Sequence, residues 1–350
     1  MIERDPGPAF GRVSLFPTEI LSKSVESLKS VAETNGIRTA CFVLLDDMTE
    51  LNQNWRTWLE RLANLNIDRA RGAAPHKPLL LLVVFDLVEE GKLTGGMLPR
   101  DGSLAFRFSS YWTIVANRRR TRPDIRLPFY HLKRDGFWTP LEIDGRLADS
   151  RERATLAQLD TLFLHCALDD NFRALGRRTL IARYFEPSER AELYKLCGIE
   201  VPPDDLVAAD AARFLQSDKD AAKRDAKFSV RVLPAYDFTC ALTRYRMIAI
   251  DGSTPLDAAH IQQFRRGGPN ELSNGIALSK TAHWLFDRGF WSISDDYTVL
   301  VKAGDFEEAG EIGQLLKPHA GGEILRPSSR TQWPAPSFLT WHRTHHGFHS

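Results

Sequence analysis

Cysteine is scarce in this chain: four in 350 residues (Cys41, Cys166, Cys197, Cys240), with no CxxC pair. That excludes a disulfide framework and a zinc site built from four thiolates, and it predicts reduced thiols in a cytoplasm. Net charge is nearly absent as well. The 46 Lys and Arg residues are balanced by 45 Asp and Glu, a formal +1. No global field draws in a polyanion, so any contact of that kind must come from a local patch. Long apolar runs are missing. The most apolar stretch, Leu79 to Val88, contains Asp86 and falls far short of the ~18 residues of a membrane span, so no membrane partner is expected. No charged-then-apolar leader opens the chain, and there is no internal repeat. What remains is ordinary globular composition, 43% apolar and 26% charged, with length for two or three domains.

Residues 1 to 46 carry the weakest pattern: Gly7, Pro8, Gly11 and Pro17 are loop-like, and residues 20 to 32 have helical apolar spacing. Stronger patterns follow. Residues 51 to 65 read as an amphipathic helix. Pro78 suits a helix start and Gly91 its stop, so Leu79 to Glu90 reads as a largely apolar, central helix. From Leu104 the pattern suggests strands and basic loops. Eight Arg or Lys residues lie between Arg107 and Arg134, among them Arg118, Arg119, Arg122 and Arg126, opposed only by Asp124 and interleaved with Tyr111, Trp112, Phe129 and Tyr130. Leu127 to Leu132, then Asp135-Gly136, then Phe137-Trp138 reads as strand, turn, strand. Helices are expected near 152–166, 170–184 and 187–198, and a charged, alanine-rich helix over 205–227 reads as a connector. Strand character returns at Val230–Leu233, Tyr236–Ala241 and Met247–Ile250, and a hairpin is expected over Phe290–Val301.

The organising stretch is Leu256 to Asp287. It reads as a strand ending in His260, a glycine-rich loop (Gly267-Gly268-Pro269-Asn270), a strand opened by Asn274, and a helix carrying His283 and Asp287 four apart on one face. A neutral histidine at a strand end can polarise a water. A His and a carboxylate at i, i+4 can hold a divalent ion that neutralises a phosphate and its leaving oxygen. Asn274 would fix the loop that orients His260, or touch the metal itself. Asp257 lies at an odd offset from His260, on the opposite strand face, which makes it the weaker ligand candidate.

This stretch resembles the HNH, or ββα-metal, nuclease motif over about Tyr236 to Val301. The resemblance implies His260 as general base, Asn274 as the family asparagine, and His283 as a metal ligand with Asp287 beside it; the cofactor would be Mg2+, Mn2+ or another divalent cation. Ala259 departs from the family, which often places a metal-ligating residue just before the base. Either Asp257 substitutes or the metal has fewer protein ligands. Thr243 stands where some members carry the second cysteine of a zinc pair begun at Cys240, so no structural zinc is expected.

Residues from about Trp55 to Phe185 resemble the sulfur-binding domain of McrA-like, modification-dependent restriction endonucleases. The motifs are Ala74-Pro75-His76-Lys77-Pro78 before the leucine run, Pro128-Phe129 before Asp135-Gly136-Phe137-Trp138, and Arg183-Tyr184-Phe185. That family recognises a phosphorothioate in the DNA backbone. The resemblance implies a sulfur hollow lined by Leu127, Pro128 and Phe129, a His76-Lys77 pair at its flank, and Arg118, Arg119, Arg122, Arg126, Tyr130 and His131 on neighbouring DNA. Leu127 departs from the aromatic expected before the proline.

The expected chain is α+β: an extension (1–46), a mixed α/β phosphorothioate-DNA recognition domain (47–186), a helical connector (187–227) and a C-terminal HNH domain (228–350). It would cut double-stranded DNA near a modified site. Breaking both strands with one site per chain would require a homodimer or sequential nicking. Two other readings stand beside this one: a nuclease reading another mark, such as a methylated base, and an inactive HNH-fold DNA-binding protein.

Overall fold

The computed structural model describes residues 53–69, 72–116, 123–206, 220–302, 304–310 and 313–348, with side chains in the 220–235 helix described from 227 onward. The expectations for residues 1–46, for Arg118, Arg119 and Arg122, and for most of the 205–227 helix lie outside these. The fold is α+β, as the sequence pattern indicates.

Helix α1 (His76–Glu89) is the axis of the front half. Seven consecutive residues, Leu79 to Phe85, are fully buried. A helix buried all round needs partners on every side, and α2 (Gly102–Val115), α3 (Arg126–His131) and α5 (Asp170–Tyr184) supply them. One charge lies inside this packing. Asp86 accepts from Tyr111 Oη (2.6 Å) and from Arg177 Nη2 (2.8 Å). Burial pushes the Asp86 carboxyl up, against the pull of Arg177 and Tyr111. Arg107 is likewise interior, 2% exposed and bidentate to Glu90, so it leaves the expected basic surface. Strands β1 (Met97–Pro99), β2 (Trp138–Leu141) and β3 (Leu156–Leu159) form an antiparallel sheet in the order β1-β3-β2. Helix α4 (Thr161–Ala167) and α5 are capped by Asp160 and Asp169, and α6 (Pro187–Leu196) starts with a Glu186–Glu189 capping box.

Three segments read as strands are helices. Leu104 onward lies in α2, started by Asp101, whose side chain accepts from Leu104 N. Leu127 to His131 lies in α3, where Pro128 is tolerated because first-turn amides have no helical partner, and Leu132 opens the 3-10 turn after it. Gly136, at φ 77°, ends the short 3-10 turn that follows instead of turning a hairpin. Val230 to Leu233 lies in α7 (Asp220–Ala235). Phe228 and Val232, one turn apart, bury one face of α7 in the nuclease-like core. The expected boundary at 227/228 therefore falls inside a helix.

The back half is a β4–β5 hairpin (Leu256–His260, Gly275–Ser279), helix α8 (Lys280–Asp287), a β6–β7 hairpin (Trp291–Ile293, Val299–Val301) and helix α9 (Pro336–His345). The two halves meet closely. A Cβ on Gly252, at φ 84°, would lie 2.3 Å from Phe106 N, and one on Gly102 would lie 2.2 Å from the Ala249 carbonyl oxygen. Phe106 meets Phe238 edge-on at 5.2 Å, and α2 packs along α7. Residues 58–350 make one compact unit.

Helix α9 is pinned by His342, which is 2% exposed. Its Nδ1 bonds Ser292 Oγ (2.8 Å), its Nε2 donates to Phe286 O (3.1 Å), and its ring stacks on Phe286 at 3.8 Å. Burial and the neighbouring His346 push this imidazole down to about 3. The unfolded ring binds its proton near the ordinary ~6.5 while the folded ring refuses it, so stability is lost as pH falls below that value. At ~1.4 kcal/mol per pH unit, about 3 kcal/mol should be gone by about pH 4.5. Urea midpoints measured between pH 7.5 and 4.5 should show this loss, and His342→Phe should flatten it.

Candidate functional site

The β4–β5 register pairs His260 with Gly275 and Asp257 with Leu278. Strand alternation then sends the two side chains to opposite faces. His260 meets α7: its ring stacks on Phe228 at 3.8 Å, nearly parallel, and its Nε2 lies 2.8 Å from Asn270 Oδ1. With the amide oxygen accepting, the ring hydrogen sits on Nε2 and the lone pair on Nδ1. Asp257 meets α8. Its Oδ2 lies 3.2 Å from His283 Nδ1, and its Oδ1 accepts from Lys280 Nζ at 2.8 Å. The bond from His283, with Lys280 adding to it, holds the Asp257 carboxyl below the usual range against burial.

On the other edge of the same imidazole, His283 Nε2 lies 3.6 Å from Asp287 Oδ2. The two carboxylates therefore bracket one ring from opposite nitrogens. One cation can engage His283 Nε2 together with Asp287, whose separation is close to that of two neighbouring ligands with bonds of ~2.1 Å. It cannot also take Asp257 in this arrangement. Among the described residues no group of three His, Cys, Asp or Glu side chains is set to hold a metal, so the expected set of His283, Asp287 and Asp257 is not gathered round one point.

Asn274 is fully buried. Its Nδ2 donates to Gln262 O (3.0 Å) and Pro269 O (2.9 Å), and its Oδ1 accepts from Gln262 N (2.8 Å). Of the two roles open to it from sequence, these bonds describe the loop-fixing one. Gln263 Nε2 reaches Asp287 Oδ1 at 3.4 Å, tying that loop to α8. Phe228, Gln263 and the role of Asn270 were not visible in the sequence. Nothing in the spacing marks them, because each acts through a tertiary contact.

In the front half, His76, Lys77, Leu127, Pro128 and His131 line one pocket of about 410 Å3, together with Asn66, Ile67, Asp68, Ala74 and Arg134. Other expected DNA residues fall elsewhere. Phe129 is fully buried in the core, with its carbonyl accepting from Trp138 Nε1. Arg126 is paired bidentately with Asp124. Tyr130 donates to Asp149 O, with Lys133 over its ring at 3.7 Å. Lys77 is interior: its Nζ donates to Asn66 O and Asp135 Oδ2, both at 2.6 Å. Burial, then Arg134, Lys77 and Lys133, hold the His131 ring below its usual range. Arg134 belongs to the basic run but nothing in the sequence distinguishes it there; only the helical turn at 132–135 aims it into the pocket.

Residues 240–294 match the HNH_2 family of HNH endonucleases. A solved structure titled a modification dependent TagI restriction endonuclease aligns at 20% identity with a TM-score of 0.27, over 33% of this chain and 36% of that one. The alignment thus spans about a third of that protein's length. No curated protein sequence matches the chain. The β4–β5–α8 unit lies wholly within the matched stretch, which makes residues 240–294 an HNH endonuclease domain.

Proposed function

We propose that the chain is a modification-dependent DNA endonuclease that binds phosphorothioated DNA and hydrolyses a phosphodiester nearby. The observation that carries the recognition half is the shared pocket. Ile67, Ala74, Leu127 and Pro128 give it apolar walls, while His76, His131 and Arg134 supply N–H donors. A phosphate oxygen loses its hydration on entering such a hollow, and sulfur, softer and less hydrated, loses less. The cations around the pocket supply the attraction any backbone phosphate feels.

The cleavage half rests on the two histidines. His260, held by Asn270 at Nε2, would take a proton from the attacking water. His283 and Asp287 would hold the divalent ion, and Asp257, on the far nitrogen of His283, fixes the tautomer that leaves Nε2 available. When bound, the ion supplies charge neutralisation at the phosphate and the leaving oxygen. A second reading, an HNH fold that binds DNA without cutting it, is favoured by Ala259 and by the lack of a three-ligand group among the described residues.

Matched plasmids with and without backbone sulfur, incubated with Mg2+ or Mn2+, separate these readings. Cleavage confined to the sulfur-bearing plasmid is expected. Equal cutting of both would remove the sulfur reading, and no cutting with any metal would favour the inactive fold.

A further inference from the structure

The loop leaving β4 lies beside both parts of the cleavage site. The Phe264 ring lies 6.2 Å from the His260 ring, and Gln263 reaches Asp287 at 3.4 Å. Gln263 also accepts from Arg265 Nε at 3.0 Å. Beyond Gln263, which is 8% exposed, the chain turns outward: Phe264 is 51% exposed, and Arg265, Arg266 and Gly267 are exposed too. Among the described residues neither arginine forms a salt bridge, whereas Arg126, Arg146, Arg153 and Arg246 each pair with a carboxylate. An exposed aromatic followed by two guanidinium groups that form no salt bridge among the described residues, set beside His260 and Asp287, suits a polyanion with apolar faces.

We propose that residues 264–266 are a strand clamp for the DNA being cut. Arg265 and Arg266 take the phosphates flanking the scissile one, and Phe264 packs on the sugar and base edge of the adjoining nucleotide. The clamp reads no sequence, because phosphate and sugar contacts position the strand without specifying it. It rests on the nuclease reading of the same site, and it is independent of the pocket that would read sulfur.

The test uses the full chain, with sulfur-bearing and unmodified duplexes of one sequence, in Ca2+ for binding and Mn2+ for cleavage. In Arg265→Ala/Arg266→Ala, the slope of log Kd against log salt should fall by about 2 on both duplexes, since each lost phosphate contact removes about 0.9. Phe264→Ala should raise KM about tenfold, in the range of one lost aromatic–nucleotide contact, with kcat little changed, and Phe264→Trp should restore it. Mn2+ affinity by calorimetry should match wild type in all three variants. An unchanged salt slope overturns the clamp. So does a loss of Mn2+ affinity, which would make the loop a support for the ion site. Failure of the wild type to cut either duplex would instead overturn the cleavage reading beneath it.

Discussion

His260→Ala should lower single-turnover cleavage by about 10^3-fold, within the 10^2–10^4 typical of a general base, while DNA and Mn2+ affinities stay within about twofold of wild type. The reason is positional. The ring is clamped between Phe228 and Asn270, so its other nitrogen has one direction to face. Asn270→Ala should cost less, about tenfold, because the ring stays stacked but loses the bond that selects its tautomer. A flattened acid limb in the pH–rate profile of His260→Ala would accompany the loss. A rate within tenfold of wild type would place the base elsewhere.

Asn274→Ala should be the most damaging substitution for folding of the site. Removing the amide leaves the carbonyls of Gln262 and Pro269 and the Gln262 amide without their interior partner. Unsatisfied buried groups cost ~1–3 kcal/mol each, so a loss of about 4 kcal/mol is expected, near 10 °C in Tm at the usual ~2–4 °C per kcal/mol. Asn274→Asp should be nearly as harmful, since a carboxylate accepts but cannot donate, and it would face two carbonyl oxygens. Differential scanning calorimetry and Mn2+ titration of both variants decide the matter. An Asn274→Asp variant that keeps the wild-type Tm and binds Mn2+ tightly would show that this position touches the metal.

How much of this was legible in sequence follows from how local each signal is. The β4–β5–α8 unit was readable because its spacings are short-range: strand end, glycine-rich loop, strand, and His283 four before Asp287 on one helix face. The 230–233 segment misled because β-branched and apolar residues favour strands when judged alone. Here Phe228 and Val232 are instead spaced to bury one helical face against the hairpin, a tertiary override of propensity. Leu104–Val115 misled for a similar reason, its aromatics outweighing the Asp101 cap. Lys77 looked like a phosphate ligand because its partner Asp135 lies 58 residues away, and Arg107 looked like surface charge because Glu90 was not known to face it. Leu127, Pro128 and His131 were placed by resemblance, which carried pocket positions that no periodicity exposes.

The backbone-to-backbone fit at Gly102 and Gly252 leaves no room for a side chain between the half that would read a mark and the half that would cut. An enzyme on a flexible tether scatters its breaks along whatever length the tether sweeps. On the proposed reading this one would act as a caliper, its jaws set by a glycine joint too tight for a single methyl group, and spread in break position would come from bending of the DNA.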